Sequence, residues 1–136
     1  LHPNKQTSLW TTNDEAYDKL KTFLQYKSTI GVIKKNIMSG LRKYANDRNT
    51  TIKGDDSRLD KENIDWAFMK TNIANKNPLV VGTSYPGPNH LMAAFGYQSL
   101  SSGTYLVVAD GYNSNAKSLL KYVYNDQISF VGYVRF

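Results

Sequence analysis

The spacing of apolar residues divides the chain into a helical part and a strand part, with Pro78 at the boundary. Before Pro78, apolar residues recur every three or four positions, as they do on one face of an α-helix. This pattern predicts three helices, the last of which is capped by Asn63 or Asp65. The first predicted helix starts at Asn13, the second spans about residues 28–47, and the third ends near Asn75. A short strand is predicted over residues 50–53.

After Pro78 the pattern changes to short apolar runs separated by Gly, Pro, Ser and Asn. Such runs are typical of consecutive antiparallel strands. The predicted strands lie directly after Pro78 and over residues 89–97, 104–110, 118–124 and 128–136. Helices followed by strands indicate an α+β fold, in which N-terminal helices pack on a C-terminal antiparallel sheet. With 136 residues, we expect a single domain.

Two residues with catalytic chemistry lie at the ends of two predicted strands. His90 opens one strand and Asp110 closes the next. If these strands pair as a hairpin around residues 99–103, both residues fall at the same end of the sheet, because antiparallel strands return the chain to its start. A base beside a group that orients it is two thirds of a nucleophilic triad. Taken alone, a histidine that opens a strand is more often structural, and Asp110-Gly111 is an ordinary turn signal.

Composition narrows the chemistry further. The chain contains no cysteine, which excludes disulfides, thiolate zinc sites and thiol catalysis within these residues. The spacing from Asp110 to Asn113 lacks the alternating ligands of a calcium loop, so neither a metal nor a cofactor is expected. Hydroxyl groups precede His90 in the order that a nucleophile requires, but none of them begins a predicted helix. These residues are Thr7, Ser8, Thr11 and Thr12.

The net charge of +6 permits an acidic partner. The basic residues are scattered, however, and form one local cluster: Lys34, Lys35, Arg42, Lys43 and Arg48. We interpret this cluster as a solvated face, and nucleic-acid binding is not expected because no recognition motif accompanies it. No apolar run approaches the roughly 20 residues that span a bilayer.

Several motifs together resemble the C-terminal two thirds of bacterial papain-like cysteine peptidases, in the branch similar to bacteriocin-processing endopeptidases. In that family the histidine opens a core strand that ends in Gly-Tyr, and the next strand ends in Asn or Asp with an aromatic residue shortly after. The matching motifs are Gly40-Leu-Arg-Lys-Tyr44, Ile64-Asp-Trp66, Pro78-Leu-Val-Val-Gly82, His90 to Phe95-Gly-Tyr97, and Val107-Val-Ala-Asp110-Gly-Tyr112.

The resemblance implies that His90 and Asp110 are the catalytic base and its orienting residue, acting on a peptide or protein substrate. It also implies a nucleophilic Cys on a helix near the N-terminal end of the domain, with a Gln shortly before it. Residues 1–14 contain no such Gln…Cys motif. We therefore expect an incomplete papain-like domain, inactive alone, whose Cys segment either lies upstream in the same protein or has been lost.

An alternative from another functional class is a non-catalytic binding module on the same scaffold. The resemblance places either version in a bacterium, secreted or at the cell surface, and the lack of a long apolar run predicts no transmembrane segment.

Overall fold

In a computed structural model of the protein, residues 13–29, 32–84, 90–110 and 117–136 are described. The chain divides into two compact units, residues 1–53 with Phe136 and residues 54–135. The prediction of one papain-like domain stays a prediction. Within the described residues, the three α-helices and the six-stranded antiparallel sheet confirm the α+β fold. No helix in these ranges is long and apolar enough to cross a membrane.

The first unit contains helices α1 (Asn13–Phe23) and α2 (Lys34–Asp47). They approach closely at Gly40, where an added Cβ atom would lie 2.7 Å from the carbonyl oxygen of Phe23. An ion pair of 3.6 Å joins Lys19 of α1 to Asp47 of α2. The buried residues of α2 are Ile37, Gly40, Tyr44 and Ala45, which lie on one face of the helix.

The start of α2 was predicted six residues too early. Ile33 occupies the N-cap position with extended backbone angles (φ −74°, ψ 130°), so helical geometry begins only at Lys34. Ile33 offers no side-chain acceptor for the first N–H groups of the helix, and therefore the sequence carries no capping signal at this boundary.

The second unit is a six-stranded sheet covered on one face by a short helix. The strands are β1 (Gly54–Arg58), β2 (Leu79–Thr83), β3 (His90–Leu100), β4 (Gly103–Ala109), β5 (Ser118–Lys121) and β6 (Ile128–Arg135). Their spatial order is β1-β6-β2-β3-β4-β5, and every pairing is antiparallel. The strand predicted over residues 50–53 was wrong: the strand begins at Gly54, where the chain pairs with Arg135 of β6.

Helix α3 (Trp66–Ala74) begins where the sequence predicted. The Asp65 carboxylate accepts a hydrogen bond of 2.7 Å from the Phe68 N–H, which satisfies one of the unpaired donors at the helix start. Met69 of α3 is fully buried against the sheet. The core that forms around it consists of Ile64, Met69, Leu79, Val81, Met92, Ala94, Leu106, Val108, Ile128 and Val131.

A β-bulge interrupts β3 between Ala94 and Gly96. On one side of the bulge Ala94 pairs with Val108, and on the other side Tyr97 pairs with Leu106. Ala94 and Leu106 are both fully buried. Because the extra residue is absorbed at the bulge, Tyr97 returns to the covered face, where its ring meets the Trp66 ring edge-on at 5.9 Å.

Candidate functional site

His90 lies at the start of β3, on the same face of the sheet as the core. Successive side chains of a strand point to opposite faces, so His90 shares its face with Met92 and Ala94, which are both buried. Its Cα partner on β2 is Thr83, whose side chain is also buried. The imidazole is thus half-buried at the end of an apolar row rather than on the solvent face.

Asp110 follows β4 directly, and the β3–β4 hairpin brings it beside His90. The hairpin turns tightly, with Leu100 paired to Gly103, and its ladder ends where Ala93 pairs with Ala109. Continuing that register by one residue puts Met92 opposite Asp110, so His90 is offset from Asp110 by two positions. The histidine side chain bridges this offset along the sheet.

The contact runs from His90 Nε2 to the main-chain carbonyl oxygen of Asp110. The structure therefore brings the two sequence-predicted residues together, as the hairpin argument required. The sequence argument assigned the orienting role to the Asp110 carboxylate, whereas the oxygen in this contact belongs to the Asp110 main chain. The catalytic roles of His90 and Asp110 stay predictions.

This geometry fixes the tautomer of the neutral ring. A carbonyl oxygen only accepts hydrogen bonds, so His90 Nε2 carries the proton and donates it to Asp110. In the neutral imidazole the other nitrogen, Nδ1, then carries the lone pair. Nδ1 is therefore the ring atom with the chemistry of a general base.

The segments directly before His90 and directly after Asp110 in the sequence lie outside the described residues. They are residues 85–89 and residues 111–116, and the second segment includes Tyr112 and Asn113. In the described part of the chain, no group of three or more His, Cys, Asp or Glu side chains is placed to hold a metal ion.

Thr83 was not among the residues predicted to lie at this site. Thr83 closes the apolar run Leu79–Thr83, and it faces His90 because β2 and β3 are adjacent antiparallel strands. The signal was present in the order of the runs: two strands separated by a Pro- and Gly-rich loop predict a hairpin, which places the end of the first opposite the start of the second.

A second cluster on the same covered face is aromatic. The Trp66 ring stacks on Tyr122 at 5.7 Å and meets Tyr97 edge-on. The Tyr122 hydroxyl donates a hydrogen bond of 3.0 Å to the Ile64 carbonyl, and burial raises the pKa of Tyr122 above its usual value. Trp66 thus packs against the core, and its contacts attach α3 to β3 and to the segment after β5.

Comparison with known proteins adds no relative: no family model matches the chain, and no curated protein or solved structure is similar enough to be matched to it.

Proposed function

We propose that His90 and Asp110 form the base-and-orienter part of a papain-like cysteine peptidase site that acts on a peptide or protein substrate. The observation that supports the proposal is the contact between His90 Nε2 and the main-chain oxygen of Asp110, because it orients the ring and places the proton of the neutral imidazole on Nε2. The half-buried position beside Thr83 adds a second support, since it limits the rotamers that the imidazole can adopt.

The proposed chemistry is acyl transfer to a thiol. His90 Nδ1 takes the proton of the thiol, and the resulting thiolate attacks the substrate carbonyl carbon. The imidazolium then gives its proton to the leaving amine, and water hydrolyses the acyl-thioester. Asp110 stabilises the imidazolium and its orientation in both steps.

The thiol in this proposal comes from a segment or chain outside these 136 residues, since they contain no cysteine. This chain alone is therefore expected to leave peptides uncleaved. The second candidate is a binding module on the same scaffold at a bacterial surface, which the cysteine-free composition favours.

A thiol supplied in solution separates the two candidates. The protein is mixed with N-acetylcysteamine and a nitrophenyl ester, and the rate of acyl transfer is measured as a function of thiol concentration. We expect a thiol-dependent rate above that given by free imidazole at the same concentration. His90→Ala should abolish this excess rate, whereas His2→Ala, which removes the chain's other histidine, should leave it unchanged.

Two outcomes would contradict the peptidase proposal. One is a thiol-dependent rate that does not exceed the imidazole control. The other is an excess rate that persists in His90→Ala and disappears in His2→Ala. Either result would leave the binding module as the better account of the fold.

A further inference from the structure

The excess of basic over acidic residues lies entirely in the first unit. Residues 1–53 contain ten Lys and Arg against four Asp and Glu, whereas residues 54–135 contain seven of each. The difference in the first unit accounts for the whole net charge of +6. The first unit therefore attracts anionic partners and the second does not.

The residues at the start of α2 destabilise the helix. Lys34 and Lys35 occupy the first helical turn, where the positive end of the helix dipole disfavours cations. The N-cap residue is Ile33, at a position where Ser, Thr, Asn or Asp would stabilise the helix. The side chain of Ile33 is 42% exposed, so core packing does not offset this loss. Local choices that oppose the fold are expected at functional sites.

Another exposed apolar residue lies beside this turn. A hydrogen bond of 3.3 Å joins Asn36 of α2 to Gln25, the residue before Tyr26. The Tyr26 N–H donates to the Lys21 carbonyl, and the ammonium group of Lys21 lies 4.9 Å from the centre of the Tyr26 ring. Tyr26 is 44% exposed, and its neighbour Lys27 is exposed as well.

We propose that these residues form a surface that docks on an anionic phospholipid bilayer. The basic docking face consists of Tyr26, Lys27, Ile33, Lys34 and Lys35. Its lysines are attracted to the anionic headgroups, each contributing about fivefold to the partition coefficient. Tyr26 and Ile33 enter the boundary between headgroups and acyl chains, which is where tyrosine rings and aliphatic side chains surrounded by lysines are favoured.

The apolar residues distinguish a bilayer from other polyanions. A nucleic acid would engage the lysines and gain nothing from an exposed isoleucine, because its phosphates offer no apolar phase. An anionic bilayer binds both the charged and the apolar side chains, because its headgroups attract lysines and its acyl chains accept apolar surface. The occupant that matches the whole face is therefore a lipid surface.

The test measures partition of the full chain onto sedimented vesicles of phosphatidylglycerol and phosphatidylcholine in equal parts. Lys34→Glu/Lys35→Glu should reduce binding at least about 25-fold, and the matched variant Lys117→Glu/Lys121→Glu, which makes the same charge change in the second unit, should reduce it far less. Vesicles of phosphatidylcholine alone should bind little.

Ile33→Ser supplies the decisive comparison. Serine is a favoured N-cap residue, so the variant should fold at least as well as the parent while losing about fivefold in partition. Leu100→Ser, at a residue that is 43% exposed in the second unit, is its matched control and should bind like the parent. The proposal is overturned if Ile33→Ser binds vesicles like the parent. It is also overturned if a DNA duplex displaces the parent and the Ile33→Ser protein from vesicles equally well. Equal binding to neutral and anionic vesicles would also overturn it.

Discussion

Thr83 and His90 face each other as Cα partners across β2 and β3, on the covered face of the sheet. Directly opposed residues of antiparallel strands have Cβ atoms roughly 4.5–5.5 Å apart. The position of Thr83 is therefore within reach of the imidazole, and it offers a place to put a thiol beside the proposed base.

In Thr83→Cys, the introduced thiol should have a lower pKa than in Ser129→Cys. Both parent residues are similarly buried, at 8% and 7% exposure, so desolvation acts on the two thiols alike. Ser129 lies on β6, which is separated from β3 by β2, and an imidazolium at His90 stabilises only the nearer thiolate.

The thiol pKa is measured from the ultraviolet absorbance of the thiolate as a function of pH. Adding His90→Ala should raise the thiol pKa in Thr83→Cys and leave the thiol pKa unchanged in Ser129→Cys. Equal pKa values in the two cysteine variants would show that His90 does not act on a neighbouring thiol.

The neutral ring of His90 should be protonated at Nε2, because the acceptor is the main-chain carbonyl of Asp110. Nitrogen chemical shifts of the ring report the tautomer directly. Since substitution of a side chain does not remove a carbonyl, Asp110→Ala should keep the same tautomer. A proton on Nδ1 in the parent protein would contradict the geometry from which the proposed base was assigned.

Gly40→Ala should destabilise the first unit by about 1–3 kcal/mol, although alanine is the better helix former by roughly 1 kcal/mol. The added Cβ atom would lie 2.7 Å from the Phe23 carbonyl oxygen and 2.8 Å from Leu24 Cδ2, so α1 and α2 must move apart. Urea unfolding measures the change. Ser39→Ala, at the exposed neighbouring position, should change stability by no more than about 0.5 kcal/mol. A Gly40→Ala protein as stable as the parent would show that the helices yield without loss.

Tyr122→Phe should lower the free energy of unfolding by about 1 kcal/mol, because the Ile64 carbonyl loses its hydroxyl donor. Burial, followed by the negative charge of Asp65, raises the pKa of Tyr122 in the folded state. A raised pKa favours the protonated folded form, so this contribution is complete below the unfolded value near 10 and is lost as the pH rises through the folded value.

Unfolding followed at increasing alkaline pH tests this linkage. The parent should lose stability above about pH 10 more steeply than Tyr122→Phe. Tyr124→Phe is the control, since Tyr124 also donates to a carbonyl, that of Glu62, but is 59% exposed. If the free energy of unfolding falls equally with alkaline pH in the parent and in Tyr122→Phe, ionisation of Tyr122 is not coupled to folding.

The elements that the sequence predicted well are those with a local chemical signal. Asp65 caps α3 through its own side chain, and the meeting of His90 with Asp110 follows from hairpin topology. The elements that it placed wrongly lack such a signal: Ile33 provides no side-chain cap at the start of α2, and β1 depends on a distant partner. The position of β1 is set by pairing with β6, and its partner Arg135 lies 81 positions away from Gly54. The choice of a backbone oxygen at Asp110 depends on register, which periodicity does not specify.

The bulge in β3 also bears on which changes in chain length the protein tolerates. Removing one residue from a regular strand turns every following side chain to the opposite face. In β3 one residue is surplus to the ladder, so an in-frame deletion of Phe95 would leave Gly96 opposite Val107 and Tyr97 opposite Leu106. Phe95 is 51% exposed, so little burial is lost with it. Homologous chains one residue shorter at this point would therefore retain both the His90 end and the Tyr97 end of the strand, and an alignment gap here carries no change of fold.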